Sequence, residues 1–555
     1  MSEAVHLYHD GTKHHIHRFA RSLGYLDWAS QPNPFRSFLG AAAFALPPRP
    51  DVPAHLHGQV SAAVIGDVLR HSLGLSAWKQ FGESRPSAGS GRREPVERRW
   101  SLRVNPSSGN LHPTEAYFVS GPLSGLASSP AVYHYAPDRH ALEQRCVFDD
   151  RAWNRATSEG PLRGLVALTS IHWREAWKYG ERAFRYCQHD MGHAIAAVRI
   201  AAERVGLDAR LLPGWSHRDI AALTGIDRAE DFVEAEREEA GCLIGLRPRA
   251  PGLGPQASGL AGRSLVDAIR SGMWSGRASQ VSEAHVEWSF IDDIARATED
   301  PGRPSISPAL SADAATVYPA SVILRRRSAV AFDGRSSIDA DRFFTMLSRV
   351  MPVAGSPFDA LWWDARIHLA LFVHRVDGLD PGIYLLARNP AAIDRLRAAF
   401  GREFLWESVS ATLPLVRLAR GECRALARRL SCDQDIAADG FFSLGMIADF
   451  DASLNEFGPS FYRHLFWESG VVGQVLYLEA ESAGARATGI GCFYDDSVHD
   501  VFGLAGHGFQ SLYHFTVGMP VDDARLMTEP GYPWESRDLR IEPRASAPNR
   551  RRTDR

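Results

Sequence analysis

The feature that most constrains this chain is a helical pattern in the segment 178–206. Apolar residues recur at three- and four-residue steps from Met191 to Val205, which predicts an amphipathic or buried helix. Gly206 follows where a helix C-cap is expected. A helix of this kind needs a partner surface that covers its apolar face.

The same pattern returns in the second half of the chain. Gly470 and Gly484 are fourteen residues apart, as are Gly192 and Gly206, and an arginine lies seven residues before the first glycine of each pair. A single offset of 278 (470 − 192) superposes both helices and the residues that lead into them. The repeat predicts a tandem duplication.

A chain of 555 residues exceeds the usual size of a single core, so two domains are expected. We predict an N-terminal domain at 1–250, a linker region at 251–315, a C-terminal domain at 316–530 and a disordered tail at 531–555. The boundaries follow Pro- and Gly-rich stretches and a final Arg- and Pro-rich segment.

The composition excludes several classes of partner. Apolar residues make up 45% and charged residues 23%, which is ordinary for a globular protein, and the net charge of −3 argues against nucleic acid or an anionic membrane as a partner.

No apolar run is long enough for a membrane span, and no signal peptide is evident. Six scattered cysteines without a C-x-x-C pair indicate reduced thiols in a cytoplasmic protein. No metal site is expected, although His14, His15 and His17 lie close together.

Local patterns predict the remaining elements. Residues 60–81 are expected to be helical, Gly82–Arg99 to be a mobile loop, and Ser336–Asp339 to cap a helix that runs through 343–351. The expected strands are Glu115–Val119, Ala131–Tyr135, Leu165–Ile171, Ala240–Leu246, Ile367–Val376, Gly382–Leu386 and Tyr513–Gly518.

Two short motifs carry candidate binding groups. Pro106, Ser107, Ser108, Gly109 and Asn110 form a turn whose hydroxyls and backbone N–H groups can meet the edge of a polar heterocycle. The alternative for this motif is an ordinary surface turn.

The second motif is Arg326-Arg327-Ser328, which supplies guanidinium groups and a hydroxyl of the kind that bind phosphate. Its alternative is a solvated basic cluster.

These segments resemble the nitroreductase superfamily, and more closely its SagB-type dehydrogenase branch of azoline oxidases and their relatives. Four motifs carry the resemblance: 106–113, 177–186, 326–328 with Phe332, and 488–493. The resemblance implies an α+β fold in which a mixed or antiparallel sheet is flanked by helices. It also implies FMN as cofactor, held where two domains meet, so the tandem chain is expected to form a pseudodimer within itself.

The resemblance assigns cofactor-binding roles to both motifs. Arg326, Arg327 and Ser328 would hold the FMN phosphate, and the loop Pro106–Asn110 would approach the flavin ring from the other half. Val330 replaces a basic residue of the family pattern, and Arg525 is expected to compensate for it.

Each half retains a different portion of this site. The counterpart of the loop is Pro352–Pro357, which lacks the paired serines, and the first half contains no Arg-Arg-Ser sequence. We therefore predict one FMN per chain, bound by residues of both halves.

Lys178 and Tyr179 match a Lys–Tyr pair that acts in base catalysis in azoline-oxidising relatives. Oxidation of a ring sends a hydride to the flavin, and a base must take the companion proton. The matching residues of the second half are Glu456 and Phe457. The alternative is structural: Lys178 pairs with a nearby glutamate and Tyr179 belongs to the core.

The resulting prediction is an FMN-dependent oxidoreductase that acts on a small heterocyclic or peptide-derived substrate. Two alternatives remain open at this point. One is an NAD(P)H-dependent nitro- or quinone reductase, and the other is a non-catalytic partner of a peptide-modifying system. Val330, Glu456 and Phe457 favour the non-catalytic reading. A further homodimer is compatible with each of them.

Overall fold

The computed structural model describes residues 3–47, 60–81, 99–158, 160, 162–249, 262–304, 308, 310 and 316–535. The helices are α1 (Glu3–Gly11), α2 (Ala62–Arg70), α3 (Asp150–Thr157), α4 (His172–Tyr179), α5 (Ala183–Arg204), α6 (His217–Thr224), α7 (Gly262–Arg270), α8 (Ser289–Ala297), α9 (Ala320–Arg325), α10 (Ala340–Arg349), α11 (Ile393–Ala399), α12 (Arg424–Leu430), α13 (Ile436–Asp439), α14 (Phe450–Phe457), α15 (Phe461–Ser482) and α16 (Asp495–Phe502).

The strands of the first half are β1 (Phe38–Leu39), β2 (Ala42–Ala45), β3 (Leu75–Phe81), β4 (Arg99–Arg103), β5 (Thr114–Ser120), β6 (Ala131–Ala136), β7 (Ala141–Val147), β8 (Gly164–Ser170), β9 (Leu207–Leu211), β10 (Glu239–Pro248), β11 (Met273–Trp274) and β12 (Arg277–Ala278). Those of the second half are β13 (Ile338–Asp339), β14 (Ile367–Val373), β15 (Val376–Asp377), β16 (Gly382–Leu386), β17 (Glu407–Ser408), β18 (Leu415–Arg420), β19 (Phe442–Asp449), β20 (Arg486–Ile490), β21 (Phe509–Gly518) and β22 (Leu526–Pro530).

Two large antiparallel sheets share the order of six strands and differ at one edge, where β11 follows the other six along the chain but β17 precedes β18. The first runs β11-β7-β6-β5-β8-β10-β9, with β2 added beside β7, and the second runs β17-β18-β16-β14-β19-β21-β20. Strands β8 and β19 are buried along their whole length, so both sheets are covered on both faces. Helices flank both sheets, and the expected α+β fold class is confirmed.

The two halves meet through α5 and α15, whose bounds differ by the offset seen in the sequence (461 − 183 = 482 − 204 = 278). A β-carbon added to Gly192 would lie 2.1 Å from the carbonyl oxygen of Trp467, and one added to Gly470 would lie 2.3 Å from that of His189. Only glycine permits such a close backbone approach. The glycines on which the predicted repeat rests therefore lie where the two helices cross.

One apolar core extends through both halves. Buried side chains of α5, such as Val198, and of α15, such as Val471, belong to the same hydrophobic cluster. A small sheet also connects the ends of the chain, since β22 pairs with β3, and β3 pairs with β4. Among the described helices, none combines the length and the apolar character that crossing a bilayer requires.

The expected strands are all present, but two local predictions were wrong. Residues 75–81 form β3 instead of continuing the helix, because Leu75–Phe81 pairs with two other strands. The N-cap of α10 is Asp339, whose side chain accepts from the backbone N–H of Arg342 at 2.8 Å. Ser336 instead donates its hydroxyl to Asp333 at 2.5 Å.

Segments predicted as connections contain packed structure. Helices α7 and α8 and strands β11 and β12 lie within 251–315, and β11 extends the first sheet. In the predicted tail, Tyr532 is buried and donates its hydroxyl to the carbonyl oxygen of Pro137 at 2.7 Å. The rest of the tail beyond residue 535 and residues 82–98 of the predicted mobile loop lie outside the described residues.

Candidate functional site

A cavity of about 480 Å³ lies where the two halves meet. It brings together the loop Pro106–Asn110 of the first half and the segment Arg326–Ser328 of the second. Other lining residues are Lys79, Tyr179, Tyr186, Asp190, His193, Val330, Gln434, Tyr477, Arg486, Thr488, Gly489, Ile490, Gly491, Cys492, Tyr513, Asp522 and Asp523. Motifs that are more than 200 residues apart in the sequence therefore share one cavity.

The serines of the loop hold its shape. The backbone N–H and the hydroxyl of Ser108 both donate to the carboxylate of Asp190 at 3.0 Å. The hydroxyl of Ser107 accepts from the backbone N–H of His112 at 2.8 Å. Asn110 donates its side-chain amide to the carbonyl oxygen of Ser101 at 2.9 Å. The loop is thus held rigid by its own side chains and by α5.

Gly109 lies against the end of α4. Its φ of 59° is in the left-handed region, and a β-carbon there would lie 2.7 Å from Tyr179 Oη and 3.2 Å from Lys178 Nζ. A larger residue at this position would be strained and would also collide with the tyrosine. The glycine therefore brings the loop into contact with the predicted catalytic pair.

Tyr179 lines the cavity, and Lys178 is not one of the lining residues. Lys178 Nζ lies 5.2 Å from the centre of the Tyr179 ring. Tyr179 also packs edge-on against Tyr186 at 4.5 Å between ring centres. Burial and the neighbouring Glu175 raise the pKa of Tyr179 well above its ordinary value. Tyr179 therefore keeps its proton at neutral pH.

Two buried carboxyl groups lie beneath the loop. Burial raises the pKa of Asp190 to about 7, despite the hydrogen bonds from Ser107 and Ser108. Burial and the adjacent Asp190 raise the pKa of Glu175 well above its ordinary value. No local pattern in the sequence indicates this pairing, because Glu175 lies on α4 and Asp190 on α5.

Arg326 connects the halves. Its guanidinium donates from Nε to the carbonyl oxygen of Val104 at 3.0 Å and from Nη2 to that of Arg103 at 3.1 Å. Its Nη1 atom is buried and has no hydrogen-bond partner among the described residues. An unpaired buried donor of this kind is suited to an anionic ligand.

Arg327 and Ser328 extend this wall of the cavity. Arg327 donates to the carbonyl oxygen of Ser76 at 3.0 Å, and burial together with Arg326 lowers its pKa to about 9. Ser328 Oγ lies 2.9 Å from the hydroxyl of Tyr477. The wall therefore combines two guanidinium groups with a hydroxyl.

Further charges surround this basic wall. Burial and the nearby Arg327 lower the pKa of Lys79, which indicates cations without sufficient counter-charge. The carboxylate of Asp522 partly offsets these positive charges, since it accepts a hydrogen bond from the Arg486 guanidinium at 2.5 Å. Neither Lys79 nor Arg486 was singled out from the sequence, because each is a lone basic residue without a local motif.

Arg525 does not join this cluster. Its side chain is 79% exposed, pairs with Asp523 at 2.7 Å and is absent from the cavity lining. The prediction that it compensates for Val330 has no support in its position.

Strand β20 and the residues that follow it form another part of the cavity wall. The backbone N–H of Gly489 donates to the Tyr477 hydroxyl at 3.0 Å. A β-carbon on Gly489 would lie 1.9 Å from Tyr513 Oη, and one on Gly491 would lie 2.1 Å from the Tyr186 ring. These glycines keep the backbone in direct contact with aromatic side chains.

On the other side of the α5–α15 pair, charged and aromatic side chains occupy the position that corresponds to the Tyr477 wall of the cavity. Subtracting the offset places Arg199 where the cavity has Tyr477 (477 − 278). Arg199 forms a two-pronged ion pair with Asp359 at 2.8 Å, and Arg210 adds a contact to the same carboxylate at 3.4 Å. The neighbouring Trp362 and Trp363 are buried.

Comparisons with known proteins agree with this architecture. A crystal structure of a protein from Anabaena variabilis superposes with a TM-score of 0.65 and 22% identity, over 93% of this chain and 99% of that one. A protein of Methanocaldococcus jannaschii is 26% identical over 113 residues, which are 19% of this chain. Both are called putative nitroreductases.

This chain spans about half, 55%, of the length of the Methanocaldococcus relative. No family model matches the sequence. The structural likeness shows that both halves together adopt the fold of the Anabaena protein, which is a nitroreductase-like fold.

Proposed function

We propose that this protein is an FMN-dependent oxidoreductase that exchanges hydride between the flavin and a small heterocyclic or peptide-derived substrate. The observation that carries the proposal is the single cavity that joins Arg326–Ser328 to Pro106–Asn110 across the two halves. A nitroreductase-like fold and a basic cavity wall support it.

The residues present fit FMN. Arg326 and Arg327 would hold the phosphate together with Ser328, because this wall has excess positive charge and an unpaired guanidinium nitrogen. The cavity volume of about 480 Å³ is sufficient for a flat ring system beside the loop Pro106–Asn110. When bound, the flavin supplies the hydride acceptor or donor.

The protein's own groups would manage the proton. Tyr179 keeps its hydroxyl proton and can donate a hydrogen bond into the cavity. Lys178 lies beside Gly109 and can act as the base that takes the companion proton. Asp190 fixes the loop whose Gly109 lies against these two groups.

We further propose one flavin per chain, bound between domains at 1–250 and 316–530. The ion pair of Arg199 with Asp359 and the buried tryptophans fill the region that would hold a second flavin. A non-catalytic binding protein is the second candidate, and Asp522 favours it because this carboxylate offsets part of the basic wall.

The first test is flavin content. The protein is purified, supplemented with FMN, desalted and denatured, and the released flavin is measured per chain. We expect a ratio near one. A ratio near two contradicts the single site, and a colourless protein that takes up no FMN contradicts the flavin role and supports the non-catalytic candidate. Bleaching of the visible spectrum by NAD(P)H would identify the nicotinamide as electron donor.

Arg327→Ala should weaken FMN binding by roughly tenfold to a hundredfold, since a hydrogen bond to a charged group contributes about 1.5–3 kcal/mol. Arg525→Ala is the matched control, because its exposed side chain pairs only with Asp523, and we expect unchanged affinity. Fluorescence titration of FMN measures both. Equal loss in the two variants would contradict the assignment of the phosphate wall.

Lys178→Ala should slow flavin reduction by a synthetic azoline dipeptide by roughly 10²- to 10⁴-fold while leaving FMN content unchanged. Tyr179→Phe removes only a hydroxyl and should give a smaller loss. Stopped-flow spectroscopy of the flavin band measures both rates. Unchanged rates in both variants would assign the pair to packing.

A further inference from the structure

Two cysteines of the second half lie next to each other at the wall of the cavity. Cys432 Sγ and Cys492 Sγ lie 2.8 Å apart, although 60 residues separate them in the sequence. Cys492 lines the cavity. Both are partly exposed, whereas Cys146, Cys187 and Cys242 are buried. The fold thus turns cysteines that look scattered in the sequence into a pair.

A turn of the backbone and the side chain of Gln434 hold the two cysteines close together. Cys432 follows α12 in a left-handed conformation with φ of 55°, which turns the chain towards the segment after β20. Gln434 then donates its side-chain amide to the carbonyl oxygen of Cys492 at 3.1 Å and to that of Ser431 at 2.8 Å. This clamp fixes the loop of Cys432 against Cys492.

The surroundings make one of the two sulfurs the better nucleophile. The hydrogen bond that Cys492 shares with Cys432 lowers the pKa of the Cys492 thiol and Arg182 lowers it further, while burial and Asp495 oppose this effect. The guanidinium of Arg182 lies 4.9 Å from the centre of the Phe493 ring, next to Cys492. Thiolate character together with access is what distinguishes reactive cysteines from structural ones.

We propose that Cys432 and Cys492 are a redox-active pair that closes to a disulfide by exchange with low-molecular-weight disulfides. The Cys492 thiolate attacks one sulfur of the small disulfide and releases one small thiol. Cys432 then attacks the mixed disulfide at Cys492 and releases the second thiol. The protein loses two electrons and two protons, and the small disulfide becomes two thiols.

The proposal goes beyond flavin chemistry and does not depend on it. The exchange needs only the two cysteines and a small disulfide, so it can be tested on the full chain with or without bound FMN. Loss of flavin binding in other variants leaves this result unaffected.

The test uses oxidised glutathione as the probe. The purified protein is incubated with it, quenched with acid, alkylated with iodoacetamide and analysed by mass spectrometry, intact and after digestion. We expect two fewer alkylated thiols, one peptide pair that links Cys432 to Cys492, and no lasting glutathione adduct. Reduction with a phosphine should restore both thiols.

Single variants separate the two roles. Cys432→Ser removes the resolving thiol and should trap glutathione on Cys492. Cys492→Ser should leave Cys432 largely unmodified. Cys423→Ser, at a buried position, is the control and should behave as the wild type.

Three results would overturn the proposal. They are stable glutathione adducts on both cysteines of the wild type, a disulfide that involves any other cysteine, and full alkylation of Cys432 and Cys492 after oxidation. Near-native circular dichroism of each variant excludes misfolding as the cause of a change.

Discussion

The cavity and its counterpart are built on the same pair of helices, yet one is open and the other is filled. In the cavity, Asp190 of α5 accepts hydrogen bonds from the loop residue Ser108. The corresponding residue of α15 is Glu468 (190 + 278), which accepts from Trp363 Nε1 at 3.0 Å and from the backbone N–H of Ile367 at 3.2 Å. Both carboxylates anchor a loop, and the loop held by Asp190 borders the cavity.

The two regions also differ at the positions of Tyr477 and Arg199, which correspond to each other on the two central helices. Tyr477 meets Ser328 through its hydroxyl, whereas its counterpart Arg199 extends into the region and binds Asp359. One wall offers polar groups to a ligand, and the other uses its charges within the protein. The comparison shows that the same helix pair borders a cavity on one side and packs against ion pairs and tryptophans on the other.

The largest expected effect comes from the element that both regions share. In Gly192→Val, the β-carbon would lie 2.1 Å from the carbonyl oxygen of Trp467, which is much closer than van der Waals contact allows. We expect loss of folding, at or beyond the roughly 3 kcal/mol typical of severe overpacking. Solubility and thermal unfolding measure this.

Gly508→Ala is the control for this prediction, because a β-carbon there meets nothing within 4 Å. A soluble Gly192→Val protein with a wild-type unfolding temperature would show that the two helices do not cross as described.

The next effect separates the filled region from the cavity. Arg199→Ala leaves Asp359 buried without its main partner, which should cost about 3–5 kcal/mol of folding free energy. FMN bound per folded chain should not change, since Arg199 is absent from the cavity lining. Denaturant unfolding and flavin extraction measure the two quantities.

Arg218→Ala is the matched control: this arginine is 84% exposed and pairs with Glu299, so its loss should cost less than about 1 kcal/mol. Loss of flavin in Arg199→Ala at temperatures where the protein stays folded would contradict the separation of the two regions.

The smallest expected effect is a pH dependence on the cavity side. The pKa of Asp190 is about 7 in the folded protein, above its ordinary 3.8. Stability from this group is therefore complete below pH 3.8 and is lost as the pH rises through 7. Asp190→Asn should flatten the decline between pH 5 and pH 8 by on the order of 1–3 kcal/mol.

Thermal unfolding at several pH values measures this slope. The slope should not vanish in the variant, because burial also raises the pKa of Glu175. Asp293→Asn, on an exposed side chain, should retain the wild-type slope. Identical slopes in wild type and Asp190→Asn would show that Asp190 is ionised throughout this range.

Short-range patterns in the sequence were enough to identify the repeat and most of its elements. The spacing of Gly192 and Gly470 located the two central helices, and apolar runs located β5, β6, β8 and β10 of the first sheet and β14, β16 and β21 of the second. The loop Pro106–Asn110 and the segment Arg326–Ser328 were also evident as motifs. These signals arise from neighbours along the chain, which set local conformation.

Only the tertiary structure decided which of these groups meet. It turned Leu75–Phe81 into a strand, moved Arg525 away from the cavity, filled the second region with Arg199, and brought Cys432 next to Cys492. Each outcome depends on a partner tens or hundreds of residues away. No local pattern encodes such a partner, because its position follows from how the helices and sheets of the two halves pack.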